Sequence, residues 1–321
     1  MQIGIVGLGR MGANIARRLL RNGHSVAAYD HAREAADAVR GDGVCVAQDL
    51  QRFVEALAAP RHIWLMLPAG GPTEAAFQTL LGLVSPGDLI VDGGNTYWKH
   101  DLARASQASA RGVAYVDAGV SGGVWGLERG YCLMVGGEAR DVERLRPILD
   151  DLAPPGAPLN TFAGAARPGF VHAGGVGSGH FAKMVHNGIE YGMMQALAEG
   201  LDILQHADAP VVPEPLRLSM DVAAVAQAWR QGSVIQSWLL DLAADALTRD
   251  PELAAYQGQV GDSGEGRWTV EAAMDEEVAA DVLATAVFAR FRSRQVHTFG
   301  EKVLSAMRAG FGGHKEGQAP A

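Results

Sequence analysis

The sequence is short of cysteine, of long apolar runs and of positive charge. Only Cys45 and Cys132 occur in 321 residues, far apart and without metal-ligand spacing. That excludes a disulfide framework and suits a reducing compartment. No apolar run approaches the roughly 20 residues needed to cross a bilayer. The N-terminal stretch MQIGIVGLGRMG carries no basic segment ahead of an apolar one, so no signal peptide is expected. The net charge of −9 argues against nucleic acid or an anionic membrane as partner. No His/Asp/Glu cluster has metal-ligand spacing, so no metal is expected. These features point to a cytoplasmic protein.

What is present fits an ordinary globular chain, 48% hydrophobic and 20% charged, long enough for two domains. Short apolar runs at Gln2–Val6, Ser25–Tyr29, His62–Leu67, Leu89–Val91, Ala114–Asp117 and Cys132–Val135 alternate with helical patterns such as Gly12–Asn22 and Thr73–Leu83. Runs that are apolar throughout, rather than alternating, are the mark of parallel strands covered on both faces. The fold class is therefore α/β: a Rossmann-type doubly wound sheet over residues 1–176, followed by an all-α domain over 177–321. In the second part, Ser178–Ala207 reads as one long helix, apolar nearly all round and so expected to be buried. Its Gly188, Gly192 and Gly200 are expected where neighbouring helices pack closely.

Two places carry chemistry. Gly7-Leu8-Gly9-Arg10-Met11-Gly12 follows the first strand and opens a helix. Glycines there allow a tight turn and close approach of a pyrophosphate, which meets the free N–H groups of the helix N-terminus. The second strand leads to Asp30, 18 residues after Gly12. A carboxylate there can accept from ribose hydroxyls and repel a 2'-phosphate, which favours NAD over NADP; nearby Arg33 and His31 could soften that preference. Leu67 and Asn95 close the third and fourth strands, at the edge where ligands of open parallel sheets bind. The second place is the helix segment Lys183, His186, Asn187, Glu190 and Tyr191. Spacings of 3, 4, 7 and 8 residues from Lys183 put all five on one face. An amine and a carboxyl in a closed cleft would be shifted toward neutrality, where proton transfer works best.

KMVHNGIEYG, with VDGGN and DAGVSGGVWGLERGYCLMVGG, closely resembles the decarboxylating 6-phosphogluconate dehydrogenases, in length the short bacterial form. The resemblance runs from Gly4 to about His314. It implies that Lys183 is the general base on the substrate's 3-hydroxyl and that Glu190 is the acid that protonates carbon 1 of the enediol left after carbon dioxide departs. It implies that Ser121, Gly122 and Gly123 hold the substrate carboxylate, and that Asn95, His186 and Asn187 contact hydroxyls and carboxylate. For the phosphate it implies Tyr191, Arg267 and Thr269 of the segment GRWT, and Arg290; arginine suits a phosphate because its planar fork makes paired hydrogen bonds. Arg308 and His314 resemble a C-terminal pair that reaches into a neighbouring subunit, although Phe311 is the one aromatic residue between them. The partners implied are a small phosphorylated sugar acid and further copies of the chain, as a homodimer or homotetramer. The nearest alternative is another 3-hydroxyacid dehydrogenase, of the hydroxyisobutyrate or tartronate semialdehyde type, which shares the fold and Lys183 but has no need of Glu190 or the arginines.

Overall fold

In a computed structural model, which describes residues 1–155, 166–167 and 169–312, the apolar runs become strands whose neighbouring residues face opposite ways. Ile3 and Ile5 of β1 (Gln2–Val6) pack into one core and Val6 into the other; in β5 (Leu89–Asp92), Leu89 and Val91 face one side and Ile90 the other. Both faces are covered by helices, which is why these strands show no polar alternation. With β2 (Ser25–Tyr29), β3 (Cys45–Val46), β4 (His62–Leu65), β6 (Ala114–Ser121), β7 (Cys132–Gly136), β8 (Ala166–Arg167) and β9 (Phe170–Gly174), the described residues form a nine-stranded sheet. Its order is β3-β2-β1-β4-β5-β6-β7-β9-β8. The first six strands run parallel in the order 3-2-1-4-5-6 of a doubly wound dinucleotide fold. The order reverses between β1 and β4, which puts a ligand crevice at their carboxyl ends. β7 then runs antiparallel to β6, and β8 antiparallel to β9.

The expected α/β class holds, with differences in detail. β4 ends at Leu65 rather than Leu67, and β6 continues past Asp117 to Ser121 because it pairs with β7 along that whole length. The opening helix spans Arg10–Arg21 and buries Ile15, Ala16 and Leu19.

The chain divides into two compact units, Met1–Asn187 and Gly188–Ala321. One helix, Ser178–Gln205, begins in the first and continues in the second. The second unit's described residues form helices and loops. Helices Val222–Trp229 and Trp238–Arg249 pack through Ala226, Ala244 and Leu247 against Leu201 and Leu204. Helices Glu265–Asp275 and Asp281–Arg292 enclose Tyr191 with Ala286 and Val287.

The long helix departs from its expected burial. Ile203 is 72% exposed and Ile189, Met193 and Met194 are exposed as well. Its apolar residues outnumber those the single chain covers. Of its glycines, Gly188 faces the Thr269 side chain and Gly192 faces Leu283 and Val282, so a Cβ would crowd both contacts. Gly200 has open space beside it, and packing does not explain it.

Candidate active site

The glycine turn is built as its sequence demands. Gly7 has φ +97°, a region that favours glycine, and a Cβ on it would collide with the Met66 carbonyl and the Leu67 side chain. Leu67 thus lies against the turn at the reversal point of the sheet. A Cβ on Gly12 would strike the Gly7 carbonyl, so the helix can start only where residue 12 has no side chain. Nothing comes within 4 Å of the Cβ position of Gly9, which leaves room for a ligand at the helix N-terminus. Leu8 is buried, while Arg10 is exposed and Met11 half-buried on the first helical turn. These features fit a dinucleotide pyrophosphate.

Asp30, directly after β2, braces this turn. Its carboxylate accepts from the Leu8 N–H at 2.6 Å and the Ala32 N–H at 2.7 Å. The brace uses part of the acceptor capacity of the two oxygens and leaves lone pairs for ribose hydroxyls. His31 lies 3.2 Å from the same carboxylate, and Arg33 reaches along its helix toward Asp37 at 3.6 Å. Asn95 is exposed just past β5.

A connected polar row lies within the first unit. Lys183 Nζ donates to Asn187 Oδ1 at 2.8 Å. The same oxygen lies 3.0 Å from His186 Nδ1, and His186 Nε2 lies 3.3 Å from Ser121 Oγ. Lys183 is 6% exposed, so its amine sits away from bulk water. Gly122 and Gly123, at φ +135° and +54°, turn the chain directly after Ser121. Cys132 pairs with Ser121 across β6 and β7. Cys132 is exposed, yet the partial desolvation of its thiol pushes it up while the charge of Lys183 works to lower it. The sequence reading left this cysteine out of the site, since strand pairing alone brings it there.

The long helix then carries Glu190, half-buried, and Tyr191, buried. Within the second unit Arg290 stacks on the Tyr191 ring, its guanidinium carbon 3.4 Å from the ring centroid, and donates to the Gly261 carbonyl at 2.8 Å. Gly266 permits close packing on the other side, where a Cβ would strike the Tyr191 ring. Arg267 donates to Asp262 at 2.9 Å, and Arg294 donates to the same carboxylate at 3.2 Å. Arg294 and Asp262 were not legible in the sequence, where ARFRSR offers several equivalent arginines. The Thr269 hydroxyl donates to the Glu265 carbonyl at 2.8 Å. Arg308 is exposed on the last helix, Phe299–Gly312, and His314 lies outside the described residues.

Sequence spacing also hid a buried network under the start of the long helix. Asp117 accepts from the backbone N–H groups of Gly177 at 2.6 Å and His180 at 2.8 Å, satisfying two donors of the helix N-terminus from another element. His180 Nδ1 lies 2.7 Å from Asp101 Oδ2, and the Tyr115 hydroxyl donates to Asp101 Oδ1 at 2.8 Å. Arg104 donates to Asp92 at 2.9 Å. The candidate ligand atoms of Asp92, Asp101 and His180 lie within 4.8 Å of one another. His180 pairs with Asp101 and Arg104 with Asp92 and Glu74, so these side chains already serve one another as a buried ion-pair network.

Complete burial opposes protonation of His180, but the charge and hydrogen bond of Asp101, with Asp92 and Asp117 behind it, outweigh burial and lift it to about 9. The unfolded value is about 6.5, so the folded state holds the proton more tightly. The pair's contribution to stability is therefore full below about pH 6.5 and is lost as pH rises through about 9. The thermal midpoint of the wild type should fall more across that window than that of His180→Gln, as followed by circular dichroism. Parallel curves would place the charge elsewhere.

Sheet order, glycine turn and a following helical unit together define a dinucleotide-binding protein built as a Rossmann domain plus helices. Residues 2–164 match the NAD binding domain of 6-phosphogluconate dehydrogenase, and residues 179–309 match the C-terminal domain of 6-phosphogluconate dehydrogenase. The NAD(+)-dependent, decarboxylating 6-phosphogluconate dehydrogenase of Haloferax volcanii is 36% identical over 316 residues, covering 98% of each chain. The chain belongs to the 6-phosphogluconate dehydrogenase family. Among solved structures, Plasmodium falciparum 6-phosphogluconate dehydrogenase is similar at a TM-score of 0.76 and 24% identity, covering 100% of this chain and 66% of that one. Mycobacterium tuberculosis 3-hydroxyisobutyrate dehydrogenase is similar at 0.69 and 22%, covering 96% and 99%. At those identities the likeness is one of fold. Among the described residues no helix is long and apolar enough to cross a membrane.

Proposed function

We propose that this chain oxidises and decarboxylates 6-phospho-D-gluconate to D-ribulose 5-phosphate and carbon dioxide, reducing NAD, as a cytoplasmic enzyme of the short form. The observation that carries this reading is the buried amine of Lys183 tied to Asn187, His186 and Ser121, on the helix that next presents Glu190 and Tyr191. The Haloferax relative bears that activity in its name and matches this chain over nearly its whole length.

Residues 1–176 hold the dinucleotide: Gly7, Leu8, Gly9, Arg10, Met11 and Gly12 around the pyrophosphate, with Asp30, Leu67 and Asn95 at the strand ends. When bound, the nicotinamide accepts the hydride from carbon 3. Lys183, as the neutral amine, takes the 3-hydroxyl proton. Once protonated, it donates a hydrogen bond to the 3-keto oxygen, which receives the electron pair released as the carbon 1 to carbon 2 bond breaks. Carbon dioxide departs, and Glu190 gives a proton to carbon 1 of the remaining enediol. Ser121, Gly122 and Gly123 hold the carboxylate, with Asn95, His186 and Asn187 on the hydroxyls.

Residues 177–321 supply the phosphate pocket and self-association. Tyr191, Arg267, Thr269 and Arg290 take the phosphate, with Arg308 and His314 contributed across subunits. Ile203, Leu216, Leu218, Phe288, Phe299 and Leu304 are exposed in the single chain, an apolar excess that supports a homodimer or homotetramer.

The test is a comparison of kcat/KM for oxidation of 6-phosphogluconate and 3-hydroxyisobutyrate with NAD and for reduction of tartronate semialdehyde with NADH. A preference for 6-phosphogluconate of at least about 10³-fold is expected, because a site built to pair a phosphate rejects substrates lacking it. Preference for either smaller substrate would move the chain to the neighbouring activity. The cofactor assignment has its own test in Asp30→Ala. Because Asp30 braces the turn as well, both cofactors should bind more weakly, but NAD should lose about tenfold more than NADP, in proportion to one lost charge-assisted hydrogen bond. Titration of both dinucleotides by fluorescence measures the ratio, and a larger loss for NADP would reverse the assignment.

A further inference from the structure

The network beneath the long helix belongs to no contact that the reaction uses, yet it ends one helical turn from the proposed base. We infer that the His180–Asp101 pair, together with the Asp117 cap, is a positioning device that fixes the rotation and depth of the helix start and thereby holds Lys183 in place. The role of Lys183 rests on the reaction proposed above; the geometry of its support does not.

His180 is gripped at two points by two different elements. Its backbone N–H is held by Asp117 of β6, and its ring by Asp101 of helix Trp98–Ser109. One anchor would let the first turn roll about its axis, whereas two in different directions do not. Nε2 of His180 is buried without a hydrogen-bond partner among the described residues, so the bond from Nδ1 is the polar contact that orients the ring. Asp101 is itself fixed by Tyr115, whose hydroxyl burial keeps well above its ordinary value and so protonated as a donor.

The backbone leaves little slack between these anchors and the lysine. A Cβ on Gly119 would collide with the Lys183 side chain, and one on Gly179 would lie 2.5 Å from the Met134 carbonyl oxygen and 2.7 Å from the Gly136 nitrogen. The helix start therefore rests directly on β6 and β7. His180 and Lys183 are three residues apart, neighbours on one face of the helix. Displacing a reacting group by about 1 Å costs on the order of 10²-fold in rate.

A merely structural pair would affect stability and leave the lysine of the folded fraction unchanged. The experiment compares His180→Phe, which fills the space but cannot donate, with His180→Gln, which can still donate to Asp101. Lys183 is labelled with an amine-reactive sulfonate at matched pH, and its rate read by peptide mass spectrometry alongside kcat and KM for 6-phosphogluconate. Positioning predicts that Lys183 in folded His180→Phe labels at least about tenfold faster, and that kcat falls about 10²-fold with KM within about twofold. His180→Gln should restore most of both. Should His180→Phe not fold, Asp101→Asn gives the same comparison. Labelling of Lys183 at the wild-type rate in the folded variants, or identical behaviour of Gln and Phe, would overturn the inference. A wild type that turns over no 6-phosphogluconate would sink the proposed reaction instead, and the labelling comparison would still judge the positioning.

Discussion

Lys183→Met should leave a folded protein that binds NAD normally and turns over 6-phosphogluconate at least about 10³-fold more slowly, within the range general acid–base groups contribute. Methionine fills most of the space of the lysine stem, so the close contact with Gly119 is kept and the loss is confined to the amine. The glycine turn and Asp30 are untouched, which is why the NAD dissociation constant should move by less than about twofold. Hydride transfer itself requires the 3-hydroxyl proton to leave, so rapid mixing should show no burst of NADH absorbance, only the residual slow rise. A rate within tenfold of the wild type would remove Lys183 from its role.

Glu190→Gln should give a different signature at a similar steady-state cost. Glutamine matches the shape of glutamic acid but carries no transferable proton. Glu190 acts after hydride transfer in the proposed sequence, so the first turnover is preserved. A burst of NADH equal to the enzyme concentration should precede a steady rate about 10²–10³-fold below the wild type. KM and NAD affinity should stay near their original values. Loss of the burst would place Glu190 before hydride transfer, and an unaffected steady rate would leave protonation of the enediol to another acid. The two variants therefore separate the first proton transfer from the last.

The parts of this arrangement that were legible in the sequence are local ones. The glycine turn could be read because strand, turn and helix are consecutive, and Gly7 and Gly12 answer steric demands within the turn itself or at the adjacent strand end. The face from Lys183 to Tyr191 could be read because helix periodicity fixes it, and the Lys183–Asn187 bond spans a single turn. Strand direction could not be read: Cys132–Gly136 has the same apolar pattern as the parallel strands before it but runs antiparallel to β6, since periodicity is blind to polarity of the chain. β9, Phe170–Gly174, went unnoticed because His172 and flanking glycines break its pattern. The support beneath Lys183 was hidden for another reason. Asp101 and Asp117 lie 79 and 63 residues from His180, and only the sheet order brings them to it. The pattern of the long helix suggested burial, whereas in the single chain much of its apolar surface is open.

The central claim is that oxidation at carbon 3 and loss of carbon 1 occur in one active site. The direct measurement is the reaction of 6-phosphogluconate labelled with carbon-13 at carbon 1, with NAD, following NADH by absorbance and labelled carbon dioxide by mass spectrometry. The account predicts one molecule of labelled gas for each NADH, with ribulose 5-phosphate as the remaining product. NADH formed while the label stays in a sugar acid would contradict it, as would a protein that reduces NAD with a short hydroxyacid and leaves 6-phosphogluconate untouched.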